Sequence, residues 1–280
     1  WISYLFKFLS VLIRIVFFKN KEIEKIIQNI KLNEAFFIIN GGYQGGEACI
    51  KANLIWAKNN PLRNCFHVFH NNATKDKSSL HFLENFLRNK IDFLLSRTKT
   101  KFITVSKSCA SSMKNRKYFN KKKIEVIYNG VSNTTFKVKT NLNLRNKFKL
   151  ERNSKIISML SVLESRKGFD FILKTCKNIF KYNDNIYLFI FGHGNTYEKI
   201  KVKKLIDLYD LKKRVFLLNF YPNNKQIYKQ SNVTVIPSQF DESFGYVSVE
   251  SFLNKIPVVA TKVGGLKEIV RHELNGYLVN

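Results

Sequence analysis

Two glutamates, Glu242 and Glu250, lie eight residues apart where an apolar run gives way to a helical pattern. The run predicts a strand and a loop, and the helix begins near Gly245. Glycine lets a backbone approach a ligand closely, and the first amides of a helix, here about Tyr246 and Val247, have no acceptor within it. These amides and the helix dipole can hold phosphate oxygens, and a carboxylate can accept the vicinal hydroxyls of a ribose or sugar. The alternative is an exposed Glu pair beside an ordinary turn.

Three further groups of residues lie after predicted strands. Gly192–Gly194 permits a tight turn against a ligand, although such a glycine pair is a weak signal alone. Arg166 and Lys167 precede a helix, where two cations can neutralise a leaving diphosphate. In so basic a chain an Arg-Lys pair is common, so its position gives it weight. Gly264–Gly265 fits plain turn chemistry equally well.

The elements that must position these residues are strands and helices in alternation, on both sides of a polar stretch at 129–153. This alternation implies crossover connections and parallel sheets covered on both faces, and so an α/β protein of two domains, 1–138 and 139–280. The predicted strands are Ala35–Ile39, Phe66–Phe69, Phe102–Val105, Ile124–Tyr128, Ile156–Leu160, Ile186–Phe191, Val215–Phe220, Val233–Ile236 and Pro257–Ala260. The predicted helices are Glu47–Lys58, Ser79–Ser96, Ser108–Lys117, Phe169–Tyr182, Tyr197–Tyr209, Lys225–Gln230, Gly245–Asn254 and Leu266–Arg271.

The composition is globular, with 45% hydrophobic residues, which argues against a disordered or fibrous chain. The 48 Lys and Arg against 20 Asp and Glu give a net charge of +28. An excess of Lys, Asn, Ile and Phe together indicates AT-rich codons, so solvated lysines are favoured over a dedicated polyanion site. The four cysteines show no metal-binding or disulfide spacing, which fits a reducing compartment.

The first eighteen residues are mostly apolar, with their polar positions on one helical stripe. Two charges inside the run, and no small-residue cleavage site, weigh against a transmembrane helix or a signal peptide. We expect a buried helix, with an interfacial membrane helix as the alternative. Because the chain starts without Met and stops within an apolar run, we expect a fragment of a longer protein.

Six pieces of the sequence together resemble the retaining family 4 glycosyltransferases, whose domain is called glycosyl transferases group 1. The resemblance runs from about residue 40 to residue 280 and is strongest from residue 128. Glu242 and Glu250 match the family's E-x7-E motif, and six pieces in order at family spacing make the match specific. The pieces are Ile127–Val131, Arg166–Asp170, Phe191–Gly194, Pro237–Ser238, Glu242–Gly245 with Glu250, and Pro257–Thr261 through Gly264–Gly265 to Glu268.

The resemblance implies the GT-B fold, in which two Rossmann-like domains carry parallel sheets that face each other across a cleft. It implies a retaining, hexosyltransferase-type enzyme that moves a sugar from a nucleotide-sugar to a glycan or lipid-linked acceptor in lipopolysaccharide, capsule or related polysaccharide assembly. Domain 1–138 would serve the acceptor side, and domain 139–280 would bind the nucleotide-sugar. We expect a cytoplasmic protein with peripheral contact to the anionic inner face of the membrane, and no specific nucleic-acid partner.

By the same resemblance, the candidate catalytic residues are His70, Glu242 and Lys167. Glu250 would bind the ribose hydroxyls, Lys167 the diphosphate, and Glu242 with nearby amides the sugar and phosphate. No metal and no cofactor are implied, because cations and helix amides take the metal's place. His67, in the middle of its strand, is interpreted as structural. The implied donor-binding residues are Arg166, Lys167, Gly192, His193, Gly194, Ser243, Phe244, Gly245, Tyr246, Val247 and Glu250.

The chain departs from the family pattern in two ways. The family usually has Gly-Arg five to six residues before the lysine, where this chain has Ser161 and Val162. Either Arg166 supplies the missing cation or the diphosphate is held more weakly. The family's first strand with its Gly-rich loop, and its closing C-terminal helices, are absent from the chain, which again predicts a fragment.

Two other functions remain open from the sequence. The first is a basic nucleic-acid-binding module, whose best patches would be Lys121–Lys123 and Lys203–Lys204. Neither patch carries a nucleic-acid-binding motif. The second keeps the GT-B fold for an epimerase or a phosphorylase, which would require further acid–base carboxylates or a cofactor lysine, respectively.

Overall fold

The computed structural model describes residues 10, 13, 21–30, 35–43, 46–74, 82–132 and 142–280. The chain divides into two compact units, Trp1–Asn129 (unit 1) and Gly130–Asn280 (unit 2). The predicted domain boundary at 138/139 and nearly all of the predicted first helix lie outside the described residues. Within the described part, no helix combines the length and apolar character needed to cross a membrane.

Unit 1 is built on a parallel sheet of four strands in the order β1-β2-β3-β4. Helices α2, α3 and α4 cross between these strands, and their apolar side chains pack with those of the sheet, including Ile50, Phe69, Ile91, Phe102 and Met113. The strands are β1 (Phe36–Gly42), β2 (Cys65–Asn71), β3 (Lys101–Thr104) and β4 (Ile124–Val126). The helices are α1 (Lys21–Gln28), α2 (Glu47–Asn59), α3 (Phe82–Ser96) and α4 (Lys107–Lys114).

Unit 2 is built on a parallel sheet of six strands in the order β10-β9-β8-β5-β6-β7. The strands are β5 (Lys155–Leu160), β6 (Ile186–Gly192), β7 (Val215–Asn219), β8 (Val233–Ile236), β9 (Val258–Thr261) and β10 (Gly276–Val279). The helices are α5 (Leu144–Lys147), α6 (Phe169–Ile179), α7 (Thr196–Leu208), α8 (Asn224–Tyr228), α9 (Tyr246–Leu253) and α10 (Leu266–Ile269), with a 3-10 turn at Ser165–Lys167.

The apolar pattern of β6 explains its place inside the second sheet. Its run Ile-Tyr-Leu-Phe-Ile-Phe-Gly is buried from Leu188 onward, as expected for a parallel strand covered on both faces. In α6, Ile172 and Cys176 are buried against this sheet, as is Phe180 directly after the helix. The α/β fold with two parallel sheets is therefore confirmed.

Every predicted strand is present, with ends shifted by at most three residues. Strand β10 was not predicted, because two of its four residues are exposed at a sheet edge and leave no apolar period. The predicted linker 129–153 extends too far toward the C-terminus, because α5 begins at Leu144 and packs against the sheet of unit 2. Leu144 is fully buried with Ile156 and Phe189. Such a one-turn helix, with a single buried residue and Asn143 as its cap, gives no periodic signal.

Candidate active site

The strand order of unit 2 brings four distant loops to one edge of its sheet. Strand β5 pairs with β6 and β8, and β8 pairs with β9, all in parallel. Parallel strands end at the same edge, so the loops that follow these four strands are neighbours. All the predicted donor-binding residues lie at the end of β6, in the loops after β5, β6 and β8, or in α9.

Gly168 allows the loop after β5 to lie against the loop after β8. It adopts a left-handed conformation (φ 75°), and a Cβ there would lie 1.9 Å from the carbonyl oxygen of Pro237. The Gln239 amide then donates to the Arg166 carbonyl at 2.8 Å, which joins the two loops. A side chain at position 168 would push Lys167 away from the second loop.

The loop after β6 is joined to the loop after β5 by backbone hydrogen bonds. Leu163 donates to the carbonyl of His193 at 2.8 Å. A Cβ on Gly192 would lie 2.0 Å from the carbonyl oxygen of Ser161. This close packing is enough to require glycine here, whether or not a ligand binds. His193 is exposed, with its ring edge-on to Phe220 at 6.0 Å. A ligand contact by Gly192, His193 and Gly194 stays a prediction.

Lys167 and Glu242 form an ion pair at this edge. The Lys167 Nζ lies 2.6 Å from Glu242 Oε2, and both side chains are 14% exposed. Ser238 donates from Oγ to the same oxygen at 2.8 Å. Both contacts end on Oε2, so Glu242 Oε1 can still accept a hydrogen bond from a ligand. Sequence analysis assigned Ser238 no separate role, although Pro237–Ser238 belongs to the family pattern.

Helix α9 begins beside this ion pair. Gly245, in the left-handed region (φ 96°), is its N-cap, and no side chain of the described residues caps the helix start. The first amides of α9, from Tyr246 and Val247, therefore have no acceptor in the helix or from a cap. Ser243 and Phe244 are buried, so any contact that they make with the nucleotide-sugar would come from their backbone.

Glu250, one turn into α9, is held by α8. Its Oε2 accepts hydrogen bonds from Asn224 Nδ2 at 3.1 Å and from the Tyr228 hydroxyl at 2.9 Å. Burial, with a further effect of Glu250, raises the pKa of Tyr228, which keeps the phenol protonated and donating. Burial and then Glu250 also raise the pKa of Tyr246. Oε1 of Glu250 is left for a ligand.

Arg166 is not an isolated cation. Its Nε donates to Glu164 Oε2 at 2.6 Å, and its Nη1 donates to the Asp241 carbonyl at 3.1 Å. Part of its charge is therefore compensated, and it acts as a second tie between the two loops. Its predicted role in diphosphate binding stays a prediction, as does any replacement of the family arginine absent at Val162.

The two histidines of β2 in unit 1 have different surroundings. His70, the next-to-last residue of the strand, is partly exposed. His67 is fully buried, with its Nδ1 3.0 Å from Asn53 Nδ2. Burial lowers the pKa of His67 to about 3, so the ring is neutral and accepts from Asn53. The burial of His67 agrees with its interpretation as structural, and a catalytic role of His70 stays a prediction.

Three residues at the site, Asn224, Tyr228 and Glu164, were missed by the sequence reasoning. No motif marks Asn224 and Tyr228, which meet Glu250 only through the folded sheet. Within the described residues, no three or more His, Cys, Asp and Glu side chains are grouped so as to hold a metal ion.

The sequence profile of the family described as Glycosyl transferases group 1 matches residues 141–280, which is half of the chain. The chain belongs to this family. The Anabaena protein HepE, crystallised in complex with UDP, superposes with a TM-score of 0.70 at 21% identity, covering 93% of this chain and 68% of HepE. This likeness confirms the GT-B fold of the group 1 glycosyltransferase.

Two curated relatives are also similar to the chain. An uncharacterized glycosyltransferase of Methanocaldococcus jannaschii is 29% identical over 210 residues, covering 73% of this chain and 51% of the relative. The Escherichia coli UDP-Gal:alpha-D-GlcNAc-diphosphoundecaprenol alpha-1,3-galactosyltransferase is 29% identical over 167 residues, covering 58% of this chain and 42% of the relative. The chain spans about half the length of the curated relatives it matches.

Proposed function

We propose that the chain belongs to a retaining, metal-independent glycosyltransferase that moves a sugar from a nucleotide-sugar to a glycan or lipid-linked acceptor in cell-surface polysaccharide assembly. Family membership supports sugar transfer. The observation that carries the proposal further is the Lys167–Glu242 pair beside the uncapped start of α9. A cation, a carboxylate and helix amides at one sheet edge suit a ligand with both phosphate and hydroxyl groups.

Each residue of this group has a distinct task in the proposed reaction. Negative charge develops on the diphosphate as it leaves the sugar, and Lys167 with the amides of Tyr246 and Val247 stabilises that charge. Glu242 Oε1 accepts a hydroxyl of the transferred sugar. Glu250 Oε1 accepts the ribose hydroxyls, because Asn224 and Tyr228 fix its other oxygen. His70 of unit 1 hydrogen-bonds the sugar or the departing group.

The names of the similar proteins support the classes of donor and acceptor. HepE was crystallised with UDP, and the Escherichia coli relative uses UDP-Gal with an acceptor on diphosphoundecaprenol. A uridine diphosphate sugar is therefore the first donor to test, and a lipid diphosphate glycan the first acceptor. A net charge of +28 supports peripheral contact with an anionic inner membrane face, which salt would weaken.

A single transfer assay on the full-length protein tests the proposal. We expect transfer to continue in excess EDTA. Lys167 and the helix amides stabilise the negative charge of the diphosphate, which a metal ion would otherwise neutralise. Proton NMR of the product should show the anomeric configuration of the donor. Loss of transfer in EDTA that Mg²⁺ or Mn²⁺ restores would contradict metal independence. An inverted anomeric centre would contradict the retaining assignment.

A further inference from the structure

A small cavity lies at the edge of the unit 1 sheet where β2 and β3 begin. Its volume is about 170 Å³, and it lies between the ends of α2 and α3, with Trp56, Arg63, Arg97 and Lys99 among its lining. His70 lies at the opposite edge, because β2 has seven residues and so spans roughly 20 Å. The volume is below the roughly 300 Å³ typical of pockets for larger ligands, so a nucleotide-sugar does not fit.

Two residues that line this cavity each carry a buried hydrogen-bond donor without an acceptor among the described residues. The indole Nε1 of Trp56 and the Nη1 of Arg63 are both buried and unpartnered among the described residues. Trp56 is only 2% exposed, so water reaches its ring poorly from outside. A buried donor without a partner is unfavourable, and a ligand rich in acceptor oxygens would remove that cost at both atoms.

The charge around the cavity favours an anion. Arg63, Arg97 and Lys99 contribute three positive charges, and none of the described lining residues is Asp or Glu. Burial raises the pKa of the Cys65 thiol, so Cys65 adds no negative charge. The C-terminal ends of α2 and α3 oppose an anion, but each is equivalent to only about half a negative charge. Three full charges outweigh these two helix ends.

The position of Arg97 is partly fixed before any ligand binds. Its guanidinium lies 5.3 Å from the centre of the Phe93 ring, a favourable cation–π distance. An arginine with its plane fixed loses less side-chain freedom on binding, and its fork suits phosphate oxygens.

We propose that this cavity binds a small phosphate oxyanion, either orthophosphate or pyrophosphate, through Trp56, Arg63, Arg97 and Lys99. The site lies in unit 1, whereas the proposed diphosphate site around Lys167 lies in unit 2, so neither proposal rests on the other. Both anions carry the acceptor oxygens that the two enclosed donors lack. Titrating each anion separately shows which of them the cavity holds more tightly.

Tryptophan fluorescence tests this proposal locally, because the chain has only two tryptophans, Trp1 and Trp56. In a Trp1→Phe background Trp56 is the only tryptophan of these 280 residues, and its emission reports on the cavity that it lines. Orthophosphate and pyrophosphate are titrated into this protein at constant ionic strength set with sodium chloride. We expect a saturable change in Trp56 emission with at least one of them.

Variants then locate the bound anion. Arg63→Gln should weaken binding about tenfold, since it removes a charged hydrogen bond at an enclosed atom. Arg97→Gln and Lys99→Gln should each weaken it roughly threefold, because both side chains are largely in solvent and folding is not at risk. Lys203→Gln, an exposed lysine of α7 in unit 2, is the matched control and should change nothing.

Two results would overturn the proposal. The first is the absence of a saturable change in Trp56 emission with either anion. The second is equal weakening by Lys203→Gln and Arg97→Gln, which would show only a general attraction of the basic surface for anions. If Arg63→Gln does not fold, the comparison of Arg97→Gln with Lys203→Gln decides the question.

Discussion

The two units place ion pairs of the same length in different surroundings. In unit 1, Arg116 Nε lies 2.6 Å from Asp92 Oδ2, with side chains 3% and 0% exposed. In unit 2, Lys167 Nζ lies 2.6 Å from Glu242 Oε2, with both side chains 14% exposed at the ends of strands. A fully buried pair cannot exchange its partner for a ligand, whereas a pair at an open edge can. From this contrast we expect a structural role for the first pair and a functional role for the second.

The buried pair of unit 1 belongs to a network that fastens the chain just after His70. Arg116 Nη1 donates to the Thr74 carbonyl at 2.7 Å, and Tyr43 donates its hydroxyl to Asp92. Thr74 in turn donates its amide to the Tyr43 carbonyl at 2.7 Å. The residues that follow β2 are therefore held from several sides, and their position depends on these buried charges.

The largest effect is expected from Arg116→Met. This change leaves Asp92 buried without its cation, and breaking such a pair costs about 3–5 kcal/mol of unfolding free energy. Chemical denaturation measures the loss. Arg152→Met is the control, because Arg152 is exposed and should cost less than about 0.5 kcal/mol. Equal losses in the two variants would remove the distinction between buried and accessible charges.

Lys167→Ala should have its main effect on turnover. Removing a cation that stabilises the leaving diphosphate should lower kcat by about 10²–10³-fold. The loss of stability should be smaller than in Arg116→Met, since Glu242 keeps Ser238 as a donor and remains within reach of water. Lys174→Ala, which breaks an exposed pair with Asp170, is the matched control and should retain wild-type turnover. A Lys167→Ala enzyme with normal kcat would contradict the site.

Glu250→Gln sharpens the account of the donor site. Glutamine keeps an acceptor for Asn224 and Tyr228 but offers the ribose hydroxyls a neutral partner, so donor affinity should fall about tenfold. Calorimetric titration of the donor measures this change, and thermal unfolding should show little difference. Unchanged donor affinity would show that the ribose does not contact Glu250.

The effect that is smallest at neutral pH concerns His67, and it grows as the pH falls. Because burial lowers the pKa of His67 to about 3, below its ordinary 6.5, the folded protein keeps the ring neutral. The unfolded chain takes up a proton below pH 6.5, so stability is complete above that pH and falls as the pH drops. The slope from this group should be about 0.7 kcal/mol per pH unit at pH 6.5 and approach about 1.4 kcal/mol per pH unit by pH 5. In His67→Gln, that part of the slope should vanish. If the variant has the same slope as wild type, the folded protein does not hold the His67 ring neutral.

The sequence predicted the parts of the fold and site that have local signals. The apolar runs predicted every described strand except β10, and six pieces in order, with Glu242 and Glu250 among them, indicated the family. Contacts made only by folding could not be predicted, such as those of Glu250 with Asn224 and Tyr228, whose helix follows a different strand. Neither could the pairing of Arg166 with Glu164, since the sequence suggested a cation open to a ligand. Strand β10 was missed because two of its four residues are exposed, and helix α5 because it buries Leu144 alone.

Donor binding tests the central claim most directly. Thermal unfolding of the full-length protein is followed with a panel of nucleotide-sugars, with uridine diphosphate sugars first, alongside the Lys167→Ala and Lys174→Ala variants. A donor at 100 times its dissociation constant should stabilise wild type and Lys174→Ala by about 2.7 kcal/mol, and Lys167→Ala by clearly less. If no nucleotide-sugar stabilises the protein, or if Lys167→Ala is stabilised as much as wild type, the Lys167–Glu242 edge is not the donor site.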